Sequence, residues 1–313
     1  MTTALAGTGS RDTPDAPRVR ASRAPARPRR RRRPAPYLFV LPALLLFAAF
    51  KLYPIVWSFV LSLHRTVNGV DTYAGADNYR RLLDDPLLWT ALRNTAVVLV
   101  VQVPVMLALA TALAVALNSA ALRAPTLFRL GFFLPMVTGL VAYGIVFSVL
   151  LNKDFGLVNW LLGLVGVDPV SWLTDGLWAR ISLGIALTWH YTGYNAVILL
   201  ARLQAVPAEL YDAAAVDGAG AWASFRHVTL PGLRPALLLT TVLSTIGTLQ
   251  LFDEPYVLTG GGPDNATLTI GVYLYQNAFK YYDFGYASAI AYFLAVLIAI
   301  LGIIQFRVLG DRS

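Results

Sequence analysis

Recurring apolar segments, each about as long as a bilayer is thick, constrain this 313-residue chain more than any other feature. A hydrocarbon core roughly 30 Å thick is crossed by a helix of about 20 apolar residues. Here 57% of the residues are apolar and only 13% are charged. Because lipid offers no partner to an unpaired backbone amide, each segment is expected to be helical. The sequence therefore predicts an all-α polytopic membrane protein with six transmembrane helices. The predicted spans are residues 37–63, 96–117, 130–152, 181–201, 233–252 and 285–306.

The net charge of +8 is concentrated in residues 1–36, which hold ten Arg and two Asp. This Arg- and Pro-rich segment has too few large apolar residues to bury, so we expect a disordered cytoplasmic tail. The connections on the side of the tail hold 17 Lys and Arg, and those on the opposite side hold 7. By the positive-inside rule, both termini are predicted to be cytoplasmic. A basic block beside a first span normally sets topology, so no nucleic-acid partner is expected.

The sequence has none of the residue patterns that an enzyme or a metal site needs. The three histidines, His64, His190 and His227, fall in an outer loop, a span and an inner loop, and the chain has no cysteine. A phosphate-binding loop of the form GxxxxGK[ST] is also missing. We therefore predict no catalytic residue, no metal site and no ATPase site in this chain. The alternative function is a self-sufficient secondary transporter or channel for a small solute. It predicts an intramembrane carboxylate or an internal repeat, and the sequence has neither.

The connection between the fourth and fifth predicted spans is longer and more patterned than a simple turn requires. Pro207 is suited to the first position of a helix, residues 208–216 favour a helix, and Gly218 is suited to its end. A second short helix is predicted over residues 221–227, before Leu230 and Pro231 end it. The segment is thus expected to be a cytoplasmic helix-turn-helix, and an amphipathic helix at the membrane surface is the alternative.

The spacing within residues 206–232 resembles the EAA loop of permease subunits of binding-protein-dependent ATP-binding-cassette importers. The pattern of that loop is EAA, three residues, G, nine residues and I-x-L-P. The matching positions are Asp212, Ala213, Ala214, Gly218, Val228, Leu230 and Pro231. Asp212 stands for Glu and Val228 for Ile. Residues 37–63, 75–95, 258–269 and 284–293 are similar to further blocks of the sugar-permease branch.

This resemblance implies a permease subunit of an ATP-driven importer in the bacterial plasma membrane. The implied substrate is a sugar, a di- or oligosaccharide, delivered by an extracytoplasmic sugar-binding protein. A second permease subunit, homologous but a different chain, completes the pathway in the lipid bilayer. A dimeric ABC ATPase binds ATP and magnesium and receives the coupling loop, so this chain itself is expected to hold no cofactor.

The fourth span carries a polar and aromatic cluster suited to binding a sugar. Its members are Trp189, His190, Tyr191, Tyr194 and Asn195. Aromatic faces cover the apolar side of a sugar ring, while hydroxyl and amide groups bond its hydroxyls. An interfacial aromatic belt is the alternative, although the cluster lies eight or more residues inside the predicted span.

The fifth span adds a second polar row that contains Ser244, Thr248 and Gln250. Ser244 and Thr248 are four residues apart and share a helix face, although hydroxyls in membrane helices often serve only packing. The resemblance to maltose-type permeases implies that the sugar pocket is lined by Trp189, His190, Tyr191, Tyr194, Ser244 and Thr248.

Overall fold

The computed structural model describes residues 35–67, 70–119 and 125–310. Residues 1–34 of the predicted disordered tail lie outside the described residues, whereas residues 35 and 36 begin the first helix. Two compact units divide the chain, residues 1–51 and 52–313. The first unit contains helix α1, Ala35–Phe47, and most of a π-helical turn, Ala48–Leu52.

The second unit begins with helix α2, Tyr53–Ser62, followed by an antiparallel hairpin of β1, His64–Val67, and β2, Val70–Tyr73. The register pairs His64 with Tyr73 and Val67 with Val70. The prediction of an all-α protein was therefore wrong for this connection. A sequence signal was available, because Asn-Gly, found here at positions 68 and 69, is the dipeptide most favoured between two hairpin strands.

The second predicted span begins earlier than expected. Helix α3, Asp77–Asp84, precedes it, and the span itself consists of α4, Pro86–Val97; a π-helical turn, Val98–Gln102; and α5, Val103–Leu117. The predicted start at residue 96 lies directly after the polar residues Asn94 and Thr95. In the structure Asn94 Nδ2 donates to the carbonyls of Asn265 and Leu268, at 2.8 and 3.0 Å. These bonds allow the helix to continue through a polar stretch.

The third predicted span is not straight. It consists of α6, Pro125–Val137, and α7, Leu140–Leu150, which meet at a bend of 96°. Gly139 at the break has an extended backbone, with φ −58° and ψ 134°, and Pro135 lies one turn before it. The sequence contained both residues, but the apolar run on either side concealed the break. A short helix, α8, Leu157–Leu164, follows.

The next helix, α9, Gly176–Leu203, is capped by Asp175, whose carboxylate accepts from the backbone of Leu177 and Trp178. Beyond it, α10, Ala208–Val216, covers the first predicted loop helix. Gly218 has a φ of +75°. The amides of Gly218 and Ala219 donate to the carbonyls of Ala215 and Ala214, at 3.1 and 2.9 Å. This pair of bonds is a Schellman motif, which explains why glycine suits this helix end.

The predicted break at Leu230 and Pro231 was wrong. Helix α11, Ala221–Ser224, a π-helical turn, Phe225–Thr229, and α12, Leu230–Leu249, run on as one helix of 29 residues. Pro231 therefore lies inside this helix, just after the π-helical turn, an irregularity that accompanies the missing N–H of the proline. The second loop helix is therefore the beginning of the fifth predicted span.

The remaining elements are α13, Asp253–Thr259; α14, Ile270–Tyr275; a π-helical turn, Gln276–Lys280; and α15, Phe284–Gly310. Buried side chains of α5, α9 and α12 pack together in one apolar cluster, and those of α7, α9 and the α13 region form another. These two clusters hold α9 at the centre of the second unit.

A mostly helical membrane protein is confirmed, although the count of six spans is not. Among the described residues, four helices are long and apolar enough to cross a bilayer: Val40–Ser62, Pro86–Leu117, Ala221–Leu249 and Phe284–Val308. The bent pair raises the count to five if it forms one span. Helix α9 has the length but is not among these helices, because its polar cluster lowers its hydropathy.

Candidate functional site

A cavity of about 220 Å³ lies among α5, α9 and α12. It is lined by side chains that can form hydrogen bonds and by apolar groups such as Met106 and Leu243. The polar lining consists of Gln102, Tyr191, Tyr194, Asn195, Ser244 and Thr248. Five of the eight residues predicted to bind substrate are therefore brought around one space.

Helical spacing explains why these five side chains converge. Tyr191, Tyr194 and Asn195 lie at positions i, i+3 and i+4 of α9, and Ser244 and Thr248 lie at i and i+4 of α12. Asn195 is nearly fully buried, and its Nδ2 donates to the carbonyl of Tyr191 at 3.0 Å. The same Nδ2 lies 3.6 Å from the sulfur of Met106 on α5. This amide therefore connects α9 to the helix across the cavity.

The other three predicted residues do not line this cavity. Trp189 is 45% exposed, and its ring lies 5.4 Å from that of Phe147. His190 is buried and stacks on Tyr143, with the ring centroids 4.5 Å apart. Gln250 is exposed at the end of α12. Since consecutive residues of a helix point about 100° apart, Trp189, His190 and Tyr191 cannot all face one space.

Glu254 was missed as a neighbour of the cavity, although the sequence places it just past the fifth predicted span. Its side chain is nearly fully buried, and its Oε1 accepts a hydrogen bond of 3.1 Å from the hydroxyl of Tyr191. Because a phenol has a single proton, this bond leaves the Tyr191 oxygen as an acceptor toward the cavity. A carboxylate outside α9 thus sets the orientation of one of its hydroxyl groups.

Gly193 brings α9 against α6 beside the cavity. A Cβ at this position would lie 1.6 Å from the carbonyl oxygen of Phe132, far inside van der Waals contact. Only glycine allows the two helices to approach this closely at position 193.

A second candidate site is the exposed surface of α10. Asp212 and Ala213 are exposed, Ala214 is half-buried, and Val216 is 88% exposed. The Tyr211 hydroxyl lies 3.0 Å from the Thr229 hydroxyl, which ties α10 to the start of the long helix. Gly218 and Leu230 are also exposed, whereas Pro231 is half-buried. The predicted coupling residues therefore occupy the α10 surface and the adjoining start of α12.

The chemistry of the cavity is that of neutral hydrogen bonding beside aromatic faces. None of the side chains that line it is charged. Within the described part of the chain, no cluster of three His, Cys, Asp or Glu side chains could hold a metal ion. Amides, hydroxyls and phenol rings together suit a neutral molecule with many hydroxyl groups.

Comparison with known proteins gives consistent matches. Residues 129–310 match the family described as binding-protein-dependent transport system inner membrane component. The lactose transport system permease protein LacF of Rhizobium radiobacter is 44% identical, with 88% of this chain and 94% of LacF covered. The arabinooligosaccharides transport system permease protein AraP of Halalkalibacterium halodurans is 35% identical, with 88% and 87% covered.

Among solved structures, the chain resembles one from a bacterial alginate ABC transporter in complex with an alginate pentasaccharide-bound periplasmic protein. The TM-score is 0.77 at 21% identity, and the match covers 87% of this chain and 93% of the other. At this identity the likeness shows a shared fold.

Proposed function

Because this chain belongs to the family of inner membrane components of binding-protein-dependent transport systems, we propose that it forms part of a sugar pathway. In this proposal it is a permease subunit of an ATP-driven importer for a di- or oligosaccharide. The observation that carries the proposal is the 44% identity to a lactose permease over nearly the whole of both chains. The uncharged polar and aromatic cavity supports the same substrate class.

We propose six membrane spans, with the bent pair α6 and α7 counted as one and α9 as the sixth. The 28 residues of α9 give a helix about 42 Å long at 1.5 Å per residue, which exceeds the roughly 30 Å of hydrocarbon. Its low hydropathy follows from the polar cluster that lines the cavity. The excess of Lys and Arg in the inner connections supports cytoplasmic termini.

We infer the partners from two features of this chain, the missing phosphate-binding loop and the exposed surface of α10. ATP and magnesium are bound by a dimeric ATPase on other chains, which docks on the exposed surface of α10. The permease lies in the bacterial plasma membrane, and an extracytoplasmic binding protein delivers the sugar to it. The cavity of about 220 Å³ is smaller than the roughly 300 to 1,000 Å³ of typical ligand sites. This size supports a pathway completed by a second, homologous permease.

Each polar group of the cavity has a distinct role in holding a sugar. The Tyr191 oxygen accepts from a sugar hydroxyl, since its own proton is donated to Glu254. Ser244 and Thr248 offer small hydroxyls from the opposite helix, and the ring of Tyr194 covers an apolar sugar face. Movement of the surrounding helices would then expose this site to either side of the membrane.

The test is uptake by the permease pair, ATPase and binding protein encoded with this chain, reconstituted in proteoliposomes. We expect ATP-dependent uptake of at least one of lactose, maltose and arabinotriose. Uptake that continues without the ATPase and collapses with an ion gradient would instead indicate a secondary transporter. Absence of sugar uptake by a complex that hydrolyses ATP would contradict the proposed substrate.

The cavity is tested by Tyr194→Ala with Trp189→Ala as its matched control on the same helix. Loss of the Tyr194 ring should lower uptake roughly tenfold to a hundredfold, as expected when a contact of about 1 to 3 kcal/mol is removed. Trp189 does not line this cavity, although it lines a larger one of about 760 Å³, so its removal should lower the rate less than loss of the Tyr194 ring. Equal rates for both variants would place the sugar elsewhere.

A further inference from the structure

The buried side-chain amide of Gln102 has a hydrogen-bond donor without a partner among the described residues. The residue is only 8% exposed, yet its Nε2 has no hydrogen-bond partner among the described residues. Buried donors in proteins are nearly always paired, because leaving one unpaired is costly. An orphaned buried amide therefore indicates a partner outside the described residues.

The backbone at Gln102 is irregular as well. The residue ends the π-helical turn Val98–Gln102, and helix α5 then begins with Val103 and Pro104. Single π-helical turns inside longer helices are frequent at functional sites. Both the unpaired amide and the irregular turn thus fall at the same point of the second span.

Gln102 also lies on the wall shared by two cavities. It lines the cavity of about 220 Å³ that contains Tyr191, Asn195 and Ser244. It lines as well a larger cavity of about 760 Å³ between α4 and α9, together with Asn94 and Arg180. Among the described residues of the smaller cavity, Gln102 brings the only side chain from the α4–α5 side that can donate a hydrogen bond.

Gln305 shows how an amide that serves helix packing differs from Gln102. Its Nε2 donates to the Thr245 hydroxyl at 2.6 Å, so it connects α15 to α12, although its Oε1 has no partner among the described residues. Gln305 does not line the smaller cavity. A membrane-helix glutamine whose amide nitrogen is paired is therefore available as a matched control.

We propose that Gln102 contacts the substrate directly and determines which sugars are transported. Its Nε2 donates a hydrogen bond to one hydroxyl oxygen of the sugar, while α9 and α12 bind the ring from the other sides. The inference rests on the proposed function and adds a residue that the sequence pattern did not indicate. A site built to bond a hydroxyl rejects an analogue that lacks it, because the buried amide is then left unpaired.

The experiment compares wild type with Gln102→Leu and Gln305→Leu in the reconstituted importer. The probes are whichever of lactose, maltose and arabinotriose the wild type transports fastest and the monodeoxy derivatives of that sugar. Uptake is measured at saturating sugar-loaded binding protein, with ATP hydrolysis followed in parallel. For the parent sugar, Gln102→Leu should lower uptake roughly tenfold to a hundredfold and leave stimulated ATP hydrolysis in place.

Discrimination among the deoxy sugars shows whether Gln102 contacts the sugar or serves only helix packing. Wild type and Gln305→Leu should reject one derivative, and Gln102→Leu should transport that derivative and the parent sugar at similar rates. If Gln102→Leu does not insert, Gln102→Asn takes its place and should weaken the same discrimination. Unchanged discrimination in a transporting Gln102 variant overturns this inference alone. Failure of the wild type to transport any of the three sugars overturns the proposed function as well.

Discussion

A single carboxylate, Asp85, joins three segments on the predicted outer side. Its Oδ1 caps α4 by accepting from the Leu87 amide at 2.9 Å, and its Oδ2 accepts from the hydroxyls of Tyr273 and Tyr286, each at 2.5 Å. Burial raises the pKa of the Asp85 carboxyl, but the hydrogen bonds outweigh it and hold the pKa below the ordinary 3.8. Burial, with the bond to Asp85, raises the pKa of Tyr273 to about 12.

Asp85→Asn should lower the free energy of unfolding by about 1 to 3 kcal/mol, since charged hydrogen bonds contribute about that amount. Thermal unfolding in detergent micelles measures the loss. Asp84→Asn is the matched control, because its side chain is exposed and should change stability little. Equal unfolding temperatures for the two variants would show that the Asp85 contact contributes nothing.

The same contact predicts a dependence of stability on acid. A carboxyl whose pKa is lowered on folding stabilises the protein above its unfolded pKa, here 3.8, and loses that contribution as pH falls through the folded value. Wild type should therefore lose more stability than Asp85→Asn between pH 6 and the acid limit of the assay. Parallel pH profiles for the two proteins would contradict the assignment.

At the scale of elements, the close packing of α9 on α6 depends on Gly193. Gly193→Ala forces a Cβ against the Phe132 carbonyl, so the helices must separate at a cost of about 1 to 3 kcal/mol. Gly184→Ala on the same helix meets nothing within 4 Å and should be neutral or slightly stabilising. Thermal unfolding in detergent micelles measures both variants, and equal unfolding temperatures would contradict the close contact of α9 with α6.

The exposed surface of α10 leads to a prediction about how this chain is coupled to the ATPase. If its exposed surface docks on the ATPase, Ala213→Arg should abolish uptake while the protein still inserts, because a close contact cannot absorb a large charged side chain. Ala208→Arg lies on the same helix about 140° away and is the control. Normal uptake and ATP hydrolysis by correctly inserted Ala213→Arg would exclude this docking surface.

Helical periodicity predicted most of the helices and most of the cavity-lining residues, but it did not predict the bends and turns that interrupt the helices. The i, i+3 and i+4 spacing of Tyr191, Tyr194 and Asn195 was sufficient to place them on one face. Trp189 and His190 were included as members of the same polar and aromatic cluster and through the resemblance to maltose-type permeases, and helical rotation turns them away from this cavity. Gln102 and Glu254 could not be assigned, because their roles depend on helices distant in sequence. The bend near Gly139 depends likewise on packing that a local apolar run does not reveal.

At the scale of the whole molecule, the first 36 residues carry the charge imbalance that should orient the chain. Beyond them, fifteen basic residues balance fifteen acidic ones. Deletion through Pro28 keeps Arg29 to Arg33 and leaves 12 basic residues on the inner side against 7 outside. Uptake and orientation should then survive.

Deletion through Pro34 is the matched comparison, because it leaves 7 basic residues on each side. A mixture of orientations is expected. Since the chain contains no cysteine, Asp154→Cys in a predicted outer loop reports sidedness through an impermeant maleimide. Uniform labelling after both deletions would show that the tail does not set the orientation.

The continuous helix from Ala221 to Leu249 connects the α10 surface with the cavity. One end lies beside the α10 surface, and Ser244 and Thr248 lie near the other, so about 40 Å of continuous backbone separates them at 1.5 Å per residue. A tilt of about 10° around the midpoint would move each end by about 3.5 Å, slightly more than the length of a hydrogen bond. If the ATPase docks on α10, a tilt of the continuous helix would carry its movement to the cavity without an intervening chain of side-chain contacts.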